Sequence, residues 1–353
     1  ASARLPALLR LLRATPGTYT RLTAQAEWRR SFTDPYGQIW TPFAILRADA
    51  INANVTAQPG VGNVLPTGDT QALRLMPTVG LEYRYPFMNV QPWGTTTIEP
   101  IAQVIIRPNE TYAGRLPNED AQSLVFDASN LFSVDKFSGY DRVEGGGRAN
   151  VGVQATTQFD RGGTINVLFG QSYQLAGKNS IASHDLVNVG ANSGLETDRS
   201  DYVGATGVEL PNGLSFSLGG RADEKTLEVR RTDSTVGYNG KRLQTELTYS
   251  QIGAQPKYGY PTEGNEIQST SLVKIKDNWA VYGSMTWDLN NNVLSRRGIG
   301  FAYDDSCTVF AVGFTQTRDI SDTAANDWQI GARLSFRTLG DINVGDSTLP
   351  TFK

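Results

Sequence analysis

One histidine and one cysteine among 353 residues exclude much of the usual chemistry of sites. Zinc centres draw on several Cys and His side chains together, which one of each cannot supply. His184 stands between Ser183 and Asp185 in a long polar segment. A Ser-His-Asp triad is assembled by the fold rather than by adjacency, so the tripeptide gives a hydrolase little support. Asp120, Asp127, Asp135 and Asp141 could hold calcium, but no EF-hand spacing is present. Gly145-Gly146-Gly147 lacks the strand–loop–helix context of a phosphate cradle. No enzyme signature appears, and no cofactor is expected. An excess of one charge is lacking too: 32 Lys and Arg against 35 Asp and Glu give a net charge of -3, with no electrostatic reason to expect nucleic acid. No run is long enough for a membrane helix, and the mean hydropathy is below zero.

What the chain does have is alternation. From Arg148 to Phe159, Ala149, Val151, Val153, Ala155 and Phe159 fall on one face, and Arg148, Asn150, Gln154, Thr156 and Gln158 on the other. Leu243, Leu247 and Tyr249 alternate with Gln244, Glu246 and Thr248, as do Trp279, Val281, Met285 and Trp287 with Tyr282, Ser284, Thr286 and Asp288. Period two means strands with one apolar and one polar face. About fifteen such stretches run from Arg21 to Thr338. Alternation alone fits a soluble β-sandwich as well as a transmembrane barrel, whose polar interior positions would also explain the low hydropathy.

The connections separate the two. Asp34–Gly37, Asp160–Gly163, Pro211–Gly213, Asn239-Gly240, Asp277-Asn278 and Asp304–Cys307 hold turn residues in short links. Between them come long polar stretches at Ala53–Thr70, Pro108–Gly146, Ala176–Ser200 and Gly253–Asn265. Short periplasmic turns alternating with longer outer loops are the pattern of outer-membrane barrels. The expectation is an all-β, antiparallel transmembrane β-barrel, integral to the outer membrane. Counting back from the final strand puts every short turn in the periplasm, and only Asp223–Lys225 is a short link on the outer side. An odd strand number is unusual for a single-chain bacterial barrel, so the count is one off or strands lie upstream. Ala1–Thr18 has leucines interrupted by Arg10 and Arg13, which break a signal-peptide core, and stays unassigned. The barrel portion is read as 19–340 and a tail as 341–353. Pro42, Pro77 and Pro100 each remove a ladder donor, either at bulges and strand ends or as weak points where the wall could open. Cys307, in a periplasmic turn, pairs outside this segment or stays a free thiol.

An ordered set of landmarks then resembles one family. Leu131-Phe132, the loop motif Lys136-Phe137-Ser138-Gly139-Tyr140-Asp141-Arg142, Gln38–Pro42, Ile98–Gln103, Gly170–Tyr173, Ser306-Cys307 and Leu334–Gly340 look like successive landmarks of lipopolysaccharide-assembly outer-membrane barrels of the LptD (OstA) type. The strand holding Trp328, Gln329, Gly331, Arg333, Leu334, Phe336 and Arg337 resembles the β-signal read by the barrel-assembly machinery. The resemblance implies a larger barrel that delivers lipopolysaccharide to the outer leaflet through a lateral opening, of which this last strand would form one side. It implies a plug lipoprotein of the LptE type, and a periplasmic lipopolysaccharide-bridge protein reached through an upstream jellyroll domain. It also implies a disulfide from Cys307 to that domain, although best-known members have two adjacent cysteines where this chain has Cys307-Thr308. Lys136–Arg142 is expected to fold into the lumen. The alternative reading of the chain is a general diffusion porin.

Overall fold

The computed structural model describes residues 17–56, 67–121, 124–182, 189–254, 262–305, 307–318, 326–336 and 340–344. Ser183, His184, Asp185, Ser306 and Arg337 lie outside these, as does the chain before Gly17. In chain order the strands are β1 (Gly17–Arg29), β2 (Phe32–Thr33), β3 (Ile39–Val55), β4 (Gly68–Arg84), β5 (Phe87–Gln91), β6 (Gly94–Ile106), β7 (Gly147–Phe159), β8 (Thr164–Ala176), β9 (Tyr202–Glu209), β10 (Leu214–Ala222), β11 (Val229–Asn239), β12 (Leu243–Ile252), β13 (Gly264–Lys276), β14 (Trp279–Asp288), β15 (Val293–Asp304), β16 (Thr308–Arg318), β17 (Asn326–Phe336) and β18 (Gly340–Val344). Contacts divide the chain into one unit of residues 1–158, 166–205 and 219–230, and a second of 159–165, 206–218 and 231–353.

In the first unit β3 pairs antiparallel with β1 and β4, and β4 with β6. Burial along these strands inverts what water would select. On β4, Arg74 is 3% exposed while its neighbours Leu73 and Leu75 are 73% and 56% exposed. Ala72, Met76, Thr78 and Glu82 share the buried face of Arg74; Val79 and Leu81 share the bare one. On β3, Arg47 and Asp49 are buried and Leu46 is exposed; on β6, Gln103 is buried and Val104 and Ile106 exposed. Bare leucines opposite buried charges are stable only if the outside is hydrocarbon, which is the arrangement of a transmembrane β-barrel wall and not of a soluble sandwich.

The second unit repeats the arrangement over β11 to β18, each paired antiparallel with the next. Leu247, Met285, Ile299, Phe301, Phe314 and Ile330 project from one face, while Glu246, Thr270, Ser284 and Thr315 lie in register on the other. The apolar face is bounded by aromatics. Trp279 lies 5.0 Å from Tyr303 at one end, and Trp287 and Trp328 mark the other. Trp279 and Trp287 are eight residues apart on one strand. At about 3.4 Å per residue and a tilt of about 40°, that is about 20 Å along the membrane normal, comparable with the apolar band of about 25 Å.

Three elements were not foreseen. β2 and β5 continue β1 and β4 beyond interruptions, and each interruption faces a proline. The carbonyl of Pro42 accepts from Arg30 N at 3.3 Å, and that of Pro100 from Tyr85 N at 3.2 Å. In an antiparallel strand a residue's N–H and C=O point to the same neighbour, so each proline turns its missing donor toward the break. Pro42 and Pro100 therefore sit at interruptions of the partner strand. Pro77 lies mid-strand opposite Leu46, two residues beyond the β4–β6 ladder that begins at Val79↔Ile106.

The third, β18, corrects the reading of Trp328–Arg337 as the last strand. Gly340–Val344 pairs with β17 from Ala332↔Val344 to Phe336↔Gly340 and crosses the boundary drawn at residue 340. Five residues after an undescribed link carry too little alternation to be recognised. A second short link, between β14 and β15, also joins Asp223–Lys225 at the long-loop end.

Candidate functional site

In the first unit the long connection 107–146 carries the motif 136–142 and lies against the polar face of the strands. Its attachment begins with charges placed on that face by alternation. Arg74 Nε donates to Asp49 at 2.7 Å, and Arg47 Nε to the same carboxylate at 3.1 Å, while Thr23 Oγ1 donates to its other oxygen at 2.7 Å. The guanidinium groups thus fixed reach the loop backbone. Arg74 donates to the Tyr140 carbonyl at 2.8 Å, to the Asp141 carbonyl at 3.0 Å and to Glu110 at 3.2 Å, and Arg47 also donates to the Tyr140 carbonyl.

Within the motif, Asp141 is 1% exposed and does most of the joining. It accepts from Tyr19 Oη at 2.6 Å, from Arg21, and from the amides of Glu119 at 2.6 Å and Asp120 at 3.0 Å. Asp120 in return accepts from the amides of Tyr140 and Asp141 at 3.0 and 2.8 Å. Hydrogen bonding by Arg21 and these amides outweighs the effect of burial and holds the Asp120 carboxyl well below the usual range. Gly139 is needed here because a Cβ would stand 2.5 Å from the Asp120 backbone carbon. Tyr140 lies between two guanidinium groups, with Arg47 at 5.2 Å and Arg21 at 5.6 Å from its ring centre. Arg142 donates to the Leu116 carbonyl at 3.4 Å, Phe137 packs on the loop core and Ser138 is exposed. The carboxylates considered for calcium are therefore largely occupied as loop caps; Asp127 likewise accepts from Ser129.

A second cluster surrounds Lys136. Its amide donates to Glu144 at 2.7 Å, and Glu144 pairs with Arg107 at 3.0 Å and Arg148 at 2.8 Å. Burial alone would raise the Glu144 carboxyl, but Lys136, Arg148 and Arg107 overcome it and hold it at about 2. Burial pushes Asp135 up to about 6, helped by Glu144, and lowers Lys136 to about 8 against the pull of Glu144. Lys136 Nζ reaches Asn150 Oδ1 at 3.4 Å, where Ser172 Oγ also donates at 2.6 Å. Asn150 Nδ2 donates to Gln103 at 2.7 Å, and Gln103 donates to Glu82 and to the Phe132 carbonyl, each at 3.0 Å. A cavity of about 350 Å³ remains between loop and wall, lined by Glu27, Arg29, Arg47, Arg107, Asp135 and Glu144 among others.

Beside the polar clusters the loop has its own apolar core. Leu124, Phe126, Leu131, Ile181, Val189, Leu195 and Val203 are buried together, joining 107–146 to the connection 177–201. Leu131 seats against bare backbone: a Cβ on Gly170 would be 2.5 Å from its Cδ2, and one on Gly152 3.3 Å. Arg221 pins the second connection, donating to the carbonyls of Asn192 and Ser193 and pairing with Asp201 at 3.3 Å.

The structure thus brings Gln103, Leu131-Phe132, the 136–142 motif and Gly170–Ser172, scattered in sequence, into one assembly. Sequence reasoning missed Asp49, Arg74, Arg47 and Glu144 as its anchors. For the three on strands the signal was a charge at an inward position between apolar neighbours, as in Leu46-Arg47-Ala48-Asp49-Ala50; Glu144, in the loop, carried no such signal. Cys307 and the β17 residues Trp328–Phe336 take no part in this assembly and belong to the second unit. Cys307 is exposed in a short turn, its amide donating to Asp305 at 2.8 Å.

A family model described as LPS transport system D matches residues 10–279. The chain is 22% identical over 301 residues to an LPS-assembly protein of Aeromonas hydrophila, covering 81% of this chain and 36% of that protein. It is 24% identical over 256 residues to one of Acinetobacter baumannii, covering 70% and 30%. It therefore spans about a third of the length of the curated relatives it matches. Among solved structures, the unliganded ferric citrate transporter FecA aligns over 91% of this chain and 55% of its own, with TM-score 0.46 and 13% identity. A Rh. blastica porin mutant aligns over 91% and 90%, with TM-score 0.38 and 9% identity.

Proposed function

From the premise that this chain belongs to the LptD family, we propose that it is the barrel portion of a longer outer-membrane protein that transports lipopolysaccharide and assembles it into the outer leaflet. The observation that carries this reading is the match to the LPS transport system D family over more than half of the chain. The described wall is compatible with it. Its polar inner face suits a hydrated sugar head group, and its apolar outer face suits acyl chains in the bilayer. Release into the leaflet would take place through a lateral opening of the wall. With β18 against β17, the strand Trp328–Phe336 is not offered as the edge of that opening. The partners proposed for the whole protein are lipopolysaccharide, a plug lipoprotein of the LptE type, a periplasmic lipopolysaccharide-bridge protein and the barrel-assembly machinery. The exposed Cys307 is in keeping with a disulfide to a segment outside this chain.

An open diffusion pore has less support, since two long connections with a shared apolar core lie over the polar face of the first unit. The test is depletion of the full-length protein in its native cell. Newly made lipopolysaccharide should then fail to reach the cell surface; unchanged surface delivery would remove the reading.

A further inference from the structure

Arg297, like Arg318 two residues beyond Gln316 on β16, is a cation on the apolar face of the wall. In the second unit the register places Arg297 beside Met285 on β14 and Gln316 on β16, and Gln316 beside Trp328 on β17. This row belongs to the apolar face, next to Ile299, Phe314 and Ile330, which are 61%, 41% and 60% exposed. Arg297 is exposed there, and among the described residues it forms no ion pair. An arginine facing mid-membrane lipid is costly and the cost falls steeply toward the interface, so its position calls for an anionic partner at headgroup level. The row lies at that level. Trp328 flanks it, and Trp287 stands two residues beyond Met285 on the same face, toward the end that carries the long connections.

The side chain is also held in place. Arg297 Nε and Nη2 both donate to Gln316 Oε1, at 2.9 and 2.6 Å. Gln316 fixes one edge of the fork while adding no charge, leaving Nη1 and the second Nη2 hydrogen to donate. A β-bulge helps aim it. Thr286 pairs with Arg296 but Trp287 with Leu294, which leaves Ser295 as the extra residue, its Oγ donating to the Thr286 carbonyl at 3.1 Å.

We infer that Arg297, preset by Gln316, is a binding site on the outside of the barrel for the phosphate of a membrane lipid. Trp287, Met285, Ile299, Trp328 and Ile330 supply the apolar surface along which its acyl chains lie. The site takes from the preceding section only that the strands cross the outer membrane. It is on the lipid-facing wall and not on a transport path, so its failure would leave the transport reading standing.

The test uses the full-length protein, delipidated in detergent and titrated with bisphosphorylated lipid A, dephosphorylated lipid A, phosphatidylglycerol or inorganic phosphate, with bound lipid counted by native mass spectrometry. Charge-assisted hydrogen bonds of this kind support an expected loss of about tenfold or more in affinity for a phosphorylated lipid on Arg297→Gln. Gln316→Glu should produce the same loss while keeping the arginine, because the new carboxylate would take its charge. Arg161→Gln, in a short turn away from this row, should change nothing. Preference for lipid A or for phosphatidylglycerol names the source of the phosphate. Unchanged binding in Arg297→Gln and Gln316→Glu, equal affinity for dephosphorylated lipid A, or an equal loss in Arg161→Gln would each overturn the site. Gel mobility before and after heating shows that each variant is folded.

Discussion

Arg74 joins the wall to the loop at three acceptors, Glu110 and the carbonyls of Tyr140 and Asp141, and its environment sets the size of the effect of losing it. Removing one member of a buried ionic network costs about 3 to 5 kcal/mol, because charges and carbonyls are left without partners. Arg74→Met keeps much of the volume but strands Glu110 and the Asp141 carbonyl. Urea unfolding of the full protein in lipid vesicles should show a loss of that order, together with new protease cleavage inside 107–146. A stability within about 1 kcal/mol of the parent would remove Arg74 as an anchor. The pH dependence follows from two neighbours with opposite shifts. Asp135, raised from 3.8 to about 6, favours the folded loop when protonated, so its contribution is complete below about 4 and lost as pH rises through 6. Glu144, lowered from 4.5 to about 2, contributes above about 4.5 and is lost as pH falls toward 2. Amide-exchange protection of the loop should therefore be greatest near pH 4 to 5, and Asp135→Asn should flatten the limb between about 4 and 6. A wild-type profile still rising from pH 5 to 7 would contradict the assignment.

Single strands carry the membrane in their alternation. Leu247 and Thr248 are neighbours on β12, but Leu247 is 48% exposed on the apolar face while Thr248 Oγ1 lies 3.0 Å from Thr235 Oγ1 on the other. Phe314→Arg, in the row midway between Trp279 and Trp287, should cost about 2 to 4 kcal/mol in vesicle unfolding and Thr315→Arg, on the polar face, much less; equal costs would refute the faces. At this scale most of the fold was legible. β7, β10 and β16 have the bounds that alternation gives, because a strand with one apolar face writes its period directly into the sequence. β5 was not legible, since Pro86 reads as a terminus and Phe87-Met88-Asn89-Val90 does not alternate cleanly. The anchors of the loop were hidden for a related reason. Asp49 and Arg74 look like ordinary lumen residues until the register shows that one carboxylate is shared by two arginines and the arginines by one loop. The motif 136–142 was visible as a string, whereas its partners depend on contacts across 66 to 122 residues of sequence.

For the whole molecule, the transport role proposed rests on a wall with one polar and one apolar face. The proposed role requires lipopolysaccharide to travel along the polar face and not the apolar one. In-cell photo-crosslinking in the full-length protein addresses this directly, with a photoreactive residue at Glu246 or Thr270 on the polar face and at Ser269 or Leu247 on the other. Lipopolysaccharide adducts are expected at Glu246 and Thr270 and should disappear when lipopolysaccharide supply from the inner membrane is blocked, while adducts at Ser269 and Leu247 persist as contacts with the surrounding bilayer. Adducts confined to Ser269 and Leu247, or adducts at Glu246 and Thr270 indifferent to that supply, would contradict that role.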